Sequence, residues 1–172
     1  MKNLSLYAGD DFEGVMDFYL PMVYRLSFSR VKNCHDANDI VQEVFLKYIR
    51  ASKTYNDESH RKAWLIKTTV NTSKTLLTSA WNKRRSDNET VFEKGERDKK
   101  IDDFELKDTV FNAVIQLPPK YRTVIHLFYY EDMQIKDISA ALSKPENTIK
   151  SHLLRARSML KEKLEGVDFG EF

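Results

Sequence analysis

The side chains best placed to do chemistry lie toward the C-terminus, in the stretch QIKDISAALSKPENTIKSHLLRARSMLKEK from Gln134 to Lys163. Asn147, Lys150, Ser151, Arg155 and Ser158 recur on one side of a helical pattern whose other side is Ile149, Leu153, Ala156, Leu160 and Leu164. Short polar groups near a helix start reach base edges in a DNA major groove, and Arg or Lys further along reaches phosphates. Between Lys144 and Lys163 six basic residues stand against Glu146 and Glu162. Ahead of this helix, Ile135, Ile138, Ala141 and Leu142 mark a shorter one, and Pro145 ends that pattern while suiting the first turn of the next. Two helices, a tight turn and a basic second helix form the layout of a helix-turn-helix. The competing reading is an amphipathic helix of an ordinary bundle, and the turn chemistry with the basic face favours the first.

A second polar constellation sits in DANDIVQEVFLKYI. Its apolar stripe is Ala37, Ile40, Val41, Val44, Phe45 and Tyr48, which leaves Asp39, Gln42 and Glu43 at i, i+3 and i+4 on the opposite face. Such a face is equally the wet side of a surface helix. Asp36, Asp39, Glu43, Asp57 and Glu58 could be read as ligands of a metal-dependent nuclease, but no matching carboxylate or histidine cluster recurs, so neither catalysis nor a metal is expected. Cys34 is the one cysteine, which excludes an internal disulfide, and the four histidines lack metal-ligand spacing.

The elements that carry these residues are helical. Phe12, Val15, Met16, Tyr19, Val23, Leu26 and Phe28 outline a first helix with a break or kink expected at Pro21; Trp64, Leu65, Thr68 and Leu76 outline another over 62–77. Two more span 106–117 and 120–130. Glycine is scarce and no alternating strand pattern appears, so the chain reads as all-α, with two small helical domains joined by a flexible linker. The linker is SDNETVFEKGERDKKIDD, which is charged and poor in apolar residues, giving domains over 1–85 and 106–172 with the linker at 86–105. At 41% hydrophobic and 12% aromatic residues the chain can build compact cores. Net charge is only +2, yet residues 61–85 carry seven bases and no acid, a footprint of phosphate binding. The acidic linker is expected to mask part of that block in the free protein. The start MKNLSLYAGDDFEG has acids where a signal peptide needs bases, and no apolar run spans a bilayer, so a soluble cytoplasmic protein is expected.

Taken in order, DANDIVQEVFLKYI, KAWLIKTTVN and LPPKYRTVIHLFYYEDMQIKDISAALSKPENTIKSHLLRARSML resemble an extracytoplasmic-function sigma factor of bacterial RNA polymerase, from about Phe12 to Leu164. The resemblance implies a first domain that binds polymerase and the minus-ten promoter element, and a second, region 4, that reads the minus-thirty-five element. It places Asp39, Gln42 and Glu43 on the coiled coil of the largest catalytic subunit. It places Tyr55 and Asn56 of the loop SKTYNDESH, with Lys67, Asn71 and Lys74 of the following helix, at the minus-ten element, and leaves Trp64 to the core. In the recognition helix it makes Asn147, Lys150 and Ser151 candidates for bases and Thr148, His152, Arg155 and Arg157 candidates for phosphates. The implied partners are core RNA polymerase, promoter DNA and an anti-sigma factor, with no small-molecule substrate, no cofactor and no insertion into a membrane. Three positions depart from the family pattern: Ser143 stands where the turn usually has glycine, Lys144 where an aliphatic is usual, and Gln134 where a Ser or Thr cap is common. The alternative is an ordinary helix-turn-helix regulator whose upstream domain senses a ligand or partner.

Overall fold

A computed structural model describes residues 12–51, 55, 57–86 and 109–165, and all of its regular elements among these are helices. They are α1 (Phe12–Val31), α2 (Cys34–Ala51), α3 (Glu58–Ser86), α4 (Thr109–Ile115), α5 (Pro119–Ile125), a π-helical turn (His126–Tyr130), α6 (Ile135–Leu142) and α7 (Glu146–Leu164). Apart from Ser86, the linker expected at 86–105 lies outside the described residues, as does its masking of the basic block.

Helix α2 starts where local chemistry dictates. The backbone N–H of Asp36 donates to the Asn33 side chain at 2.7 Å, and the Asn33 amide donates back to the Asp36 carboxylate at 2.6 Å, a reciprocal cap. Asp57 caps α3 without a return bond, accepting from the His60 N–H at 2.8 Å. Val15, Tyr19, Val23 and Leu26 of α1 pack on Ile40, Val44 and Phe45 of α2 and on Leu65 and Ile66 of α3. Each such aliphatic side chain, fully buried, contributes roughly 1.5–3 kcal/mol.

The structure bears on two expectations about these helices, a break at Pro21 and the buried side of α3. Helix α1 runs on through Pro21, which is exposed together with Asp17, the residue whose carbonyl loses its donor one turn back. The buried side of α3 is Leu65, Ile66, Thr69, Thr72 and Ser73, while Trp64, Thr68 and Leu76 are half-buried. Hydroxyls enter the core because they satisfy themselves on their own helix: Thr69 donates to the Leu65 carbonyl at 2.7 Å and Ser73 to Val70 at 2.9 Å.

The second helical unit closes on Leu117, Val124, Leu127, Ile138, Ile149, Leu153 and Ala156. Its turn is well formed despite lacking glycine. Ser143 adopts φ 52°, ψ 48°, while Lys144 N–H reaches the Ser139 carbonyl at 3.0 Å and Ser143 N–H reaches Ala140 at 3.3 Å. These are the paired bonds of a Schellman closure, with a serine carrying the left-handed strain that glycine would avoid. Gln134 makes no side-chain cap, as its residue type leads one to expect.

The two units share one continuous apolar core, with α3 packed against α6 and α1 against α5. Polar groups fix the seam. Both Arg25 Nη2 (2.9 Å) and Nε (3.2 Å) donate to Glu131 Oε1, and His126 Nε2 lies 3.4 Å from that oxygen, long for a hydrogen bond but within ion-pair reach. The Glu131 side chain is only 7% exposed. Burial pushes its carboxyl up, but His126 and Arg25 outweigh burial and hold it below the usual range. Deeper in, Arg30 donates to Ser73 Oγ and, at 2.6 Å, to Thr123 Oγ1, and Arg122 donates to the Ile115 carbonyl. Burial first, and the Arg30 charge second, bring Arg122 down to about 10.

Candidate nucleic-acid interface

Helix α7 presents its polar side to solvent because Ile149, Leu153 and Ala156 anchor the other side in the core. Asn147, Thr148, Ser151, His152 and Arg155 converge on an open cavity of about 340 Å³, and α5 completes it with Lys120 and Tyr121. Among the described residues no acidic side chain lines it. The Lys120 ammonium lies 4.9 Å above the Tyr121 ring, and the His152 imidazole meets that ring edge-on at 5.4 Å. Hydrogen bonding from Arg155, and less so from Lys120, lowers the Tyr121 hydroxyl pKa. Burial first, then the charges of Lys120, Lys144 and Arg155, push His152 below the ordinary imidazole value.

Of the other recognition-helix candidates, Lys150 is exposed outside the cavity lining. Arg157 faces elsewhere: its Nε donates to the Tyr129 hydroxyl at 3.0 Å and its guanidinium covers the Phe128 and Tyr129 rings. Sequence reasoning missed Lys120 and Tyr121, which sit in another helix, and Leu154, which is 69% exposed next to Ser151 and Arg155. An apolar residue lying off the helix stripe was the available signal for Leu154.

Around the expected minus-ten loop, Tyr55 is described and Asn56 is not. The Tyr55 ring stacks on Tyr48 at 5.7 Å, nearly parallel, and meets Trp64 edge-on, with the Arg61 guanidinium above it. Desolvation, with Tyr48 adding to it, pushes its hydroxyl up to about 12. Lys67, Asn71 and Lys74 share one exposed face of α3. That face is partly covered by the second unit: Lys67 Nζ donates to Ser143 Oγ at 3.0 Å, and Lys62 Nζ to the Glu131 carbonyl at 3.3 Å.

On α2, Asp39 and Gln42 are exposed and Glu43 is half-buried, all on one side. Asp39 pairs with His35 at 3.2 Å and Glu43 with Lys47 at 3.4 Å, each across one helical turn. The same side continues into Leu46, 44% exposed, and Ile49, 49% exposed, which the apolar-stripe reading passed over. His35, Asp36 and Asp39 place possible ligand atoms within 4.8 Å, but the Asp36 carboxylate already serves the α2 cap. No helix among the described residues is long and apolar enough to cross a membrane.

An acid-and-leucine face on one helical domain and a basic recognition helix on a second define the class: a two-domain helix-turn-helix protein. Comparison with known proteins agrees. Residues 16–83 match the family model of sigma-70 region 2, and residues 108–160 match that of sigma-70 region 4. The RNA polymerase sigma factor SigV of Bacillus subtilis is 34% identical over 148 residues, 84% of this chain and 86% of the relative. The ECF RNA polymerase sigma-E factor of Haemophilus influenzae is 30% identical over 151 residues, 80% and 79% of the two chains. Among solved structures, the fold is shared with RpoE from Bartonella quintana, in complex with the anti-sigma factor NepR (TM-score 0.71, 23% identity, 93% of this chain and 100% of that one). It is also shared with CnrH in complex with the cytosolic domain of CnrY (TM-score 0.68, 18% identity, 96% of each). The chain belongs to the extracytoplasmic-function branch of the sigma-70 family of RNA polymerase sigma factors. The ordinary-regulator alternative is not favoured, because both sigma regions match in order.

Proposed function

We propose that this chain docks on core RNA polymerase through Asp39, Gln42, Glu43, Leu46 and Ile49 and directs it to promoters by reading two DNA elements. The carrying observation is that the α2 face and the α7 cavity lie on different domains and are both open to solvent. Mixed acidic and aliphatic surface of the α2 kind suits a protein partner, the acids steering encounter and the aliphatics burying area. In the second domain Asn147, Lys150 and Ser151 meet base edges while Thr148, His152 and Arg155 meet phosphates. The role of Arg157 is to hold the recognition helix against Tyr129 and to add charge near the backbone. Tyr55, Asn56, Lys67, Asn71 and Lys74 attend the minus-ten element, with the aromatic cluster around Tyr55 bracing the loop. The protein acts in the cytoplasm as a non-catalytic subunit. An anti-sigma factor is its regulatory partner, a reading supported by the two similar structures being complexes with such partners.

Footprinting tests this. Part of the basic side of α3 is covered by the second unit, with Lys67 held by Ser143 and Lys62 by the Glu131 carbonyl, and docking on polymerase would open it. Both promoter elements should be protected with core polymerase present and hardly at all by the chain alone. Strong sequence-specific protection by the free chain, or failure to co-elute with core polymerase, would overturn the proposal.

A further inference from the structure

The charged side chains that line the cavity between α5 and α7, Lys120 and Arg155, are both cations. They come from different helices, with the Lys120 ammonium 4.9 Å above the Tyr121 ring. An aromatic ring is a weaker partner for these cations than an anion held between them. His152 shares the cavity with them, and its Nδ1 is buried without a hydrogen-bond partner. Around it stand Lys120 and Tyr121 from α5, Lys144 from the turn and Arg155 from its own helix. Among the described residues, the charged groups that act on it are Lys120, Lys144 and Arg155, all positive.

From this juxtaposition we infer that Lys120, Tyr121, His152 and Arg155 seat one backbone phosphate between α5 and α7, and that His152 takes up a proton as the seat fills. The inference rests on the DNA-binding reading of α7 and adds to it a second helix and a proton. Burial first, then the charges of Lys120, Lys144 and Arg155, hold the imidazole below its ordinary value. A phosphate cancels the repulsion from those cations, so the imidazole binds its proton more tightly when the seat is full than when it is empty. By linkage, a group that gains a proton on binding makes affinity fall as pH rises through the interval between its empty and filled values.

The test uses the full-length chain and a fluorescent duplex of mixed sequence at low salt, since a phosphate seat needs no promoter. Binding is followed between about pH 5 and about pH 8, where imidazoles titrate. The affinity advantage of the wild type over His152→Gln should shrink with rising pH, by up to roughly tenfold per unit, while His152→Arg should keep its affinity throughout. Lys120→Ala should reduce the salt slope by about one unit and leave sequence preference alone. A wild-type to His152→Gln ratio that stays constant with pH would overturn the proton uptake, and an unchanged salt slope in Lys120→Ala would overturn the seat. Both results leave the sigma-factor reading standing, because that reading fails separately, through loss of assembly with core polymerase.

Discussion

Replacing Glu131 by glutamine should loosen the packing of the two domains without unfolding either. The carboxylate is nearly buried and takes both Arg25 donors on one oxygen, with His126 behind it. At an effective dielectric near 20, opposite charges about 4 Å apart attract by about 4 kcal/mol. Arg25 is half exposed, so water screens much of that, and a charged hydrogen bond nets roughly 1.5–3 kcal/mol. A loss of about 1–3 kcal/mol moves an equilibrium by roughly 5- to 150-fold. The introduced amide keeps the shape of the carboxylate, and the backbone bond from the Glu131 N–H to the His126 carbonyl is untouched by the substitution, so the π-helical turn should persist. Labels on α3 and α7 would report separation by energy transfer, and a double-mutant cycle with Arg25→Met isolates the pair. The same contact predicts a pH response. Since Glu131 titrates below its unfolded value, its contribution is complete above the ordinary carboxylate pKa of about 4.3 and is lost as pH falls through the folded value. A coupling energy near zero, with an unchanged domain separation in Glu131→Gln, would refute the assignment of Glu131 as the clasp.

Asp39→Lys combined with Glu43→Lys should abolish co-elution with core polymerase while the circular dichroism spectrum stays native; Phe45→Ala, in the core beneath, should instead cost about 3–5 kcal/mol of stability in denaturant unfolding. Ser143→Gly relieves left-handed strain of about 1–2 kcal/mol against an entropy loss of about 0.5–1 kcal/mol. It should therefore raise the unfolding midpoint slightly, while removing the acceptor for Lys67 and so weakening domain contact. For the recognition helix, Lys150→Ala or Ser151→Ala should relax sequence preference by about 1–3 kcal/mol per lost base contact. Arg155→Ala should weaken binding to cognate and scrambled elements alike, and equal losses for all three variants would remove the base-reading roles.

Helix α2 was legible from its residues because its information is local: a stripe at helical period and a face left over for solvent. The helix-turn-helix was legible for the same reason, Pro145 and the two stripes sufficing even with Ser143 in the place of glycine. Recognition of the family followed from the order of three such local segments. What the sequence could not supply was any pairing between distant residues. Nothing in LPPKYR says that Lys120 and Tyr121 complete a cavity with Arg155, since that depends on how α5 crosses α7. Nothing marks Glu131 as a partner of Arg25, more than a hundred positions away. The stripe read over 62–77 passed over Thr69, Thr72 and Ser73, which are buried because Thr69 and Ser73 bond to carbonyls of their own helix and Thr72 accepts from Lys47. Local patterns fix which face of a helix is buried; only packing decides against what, and therefore which polar groups meet at the site.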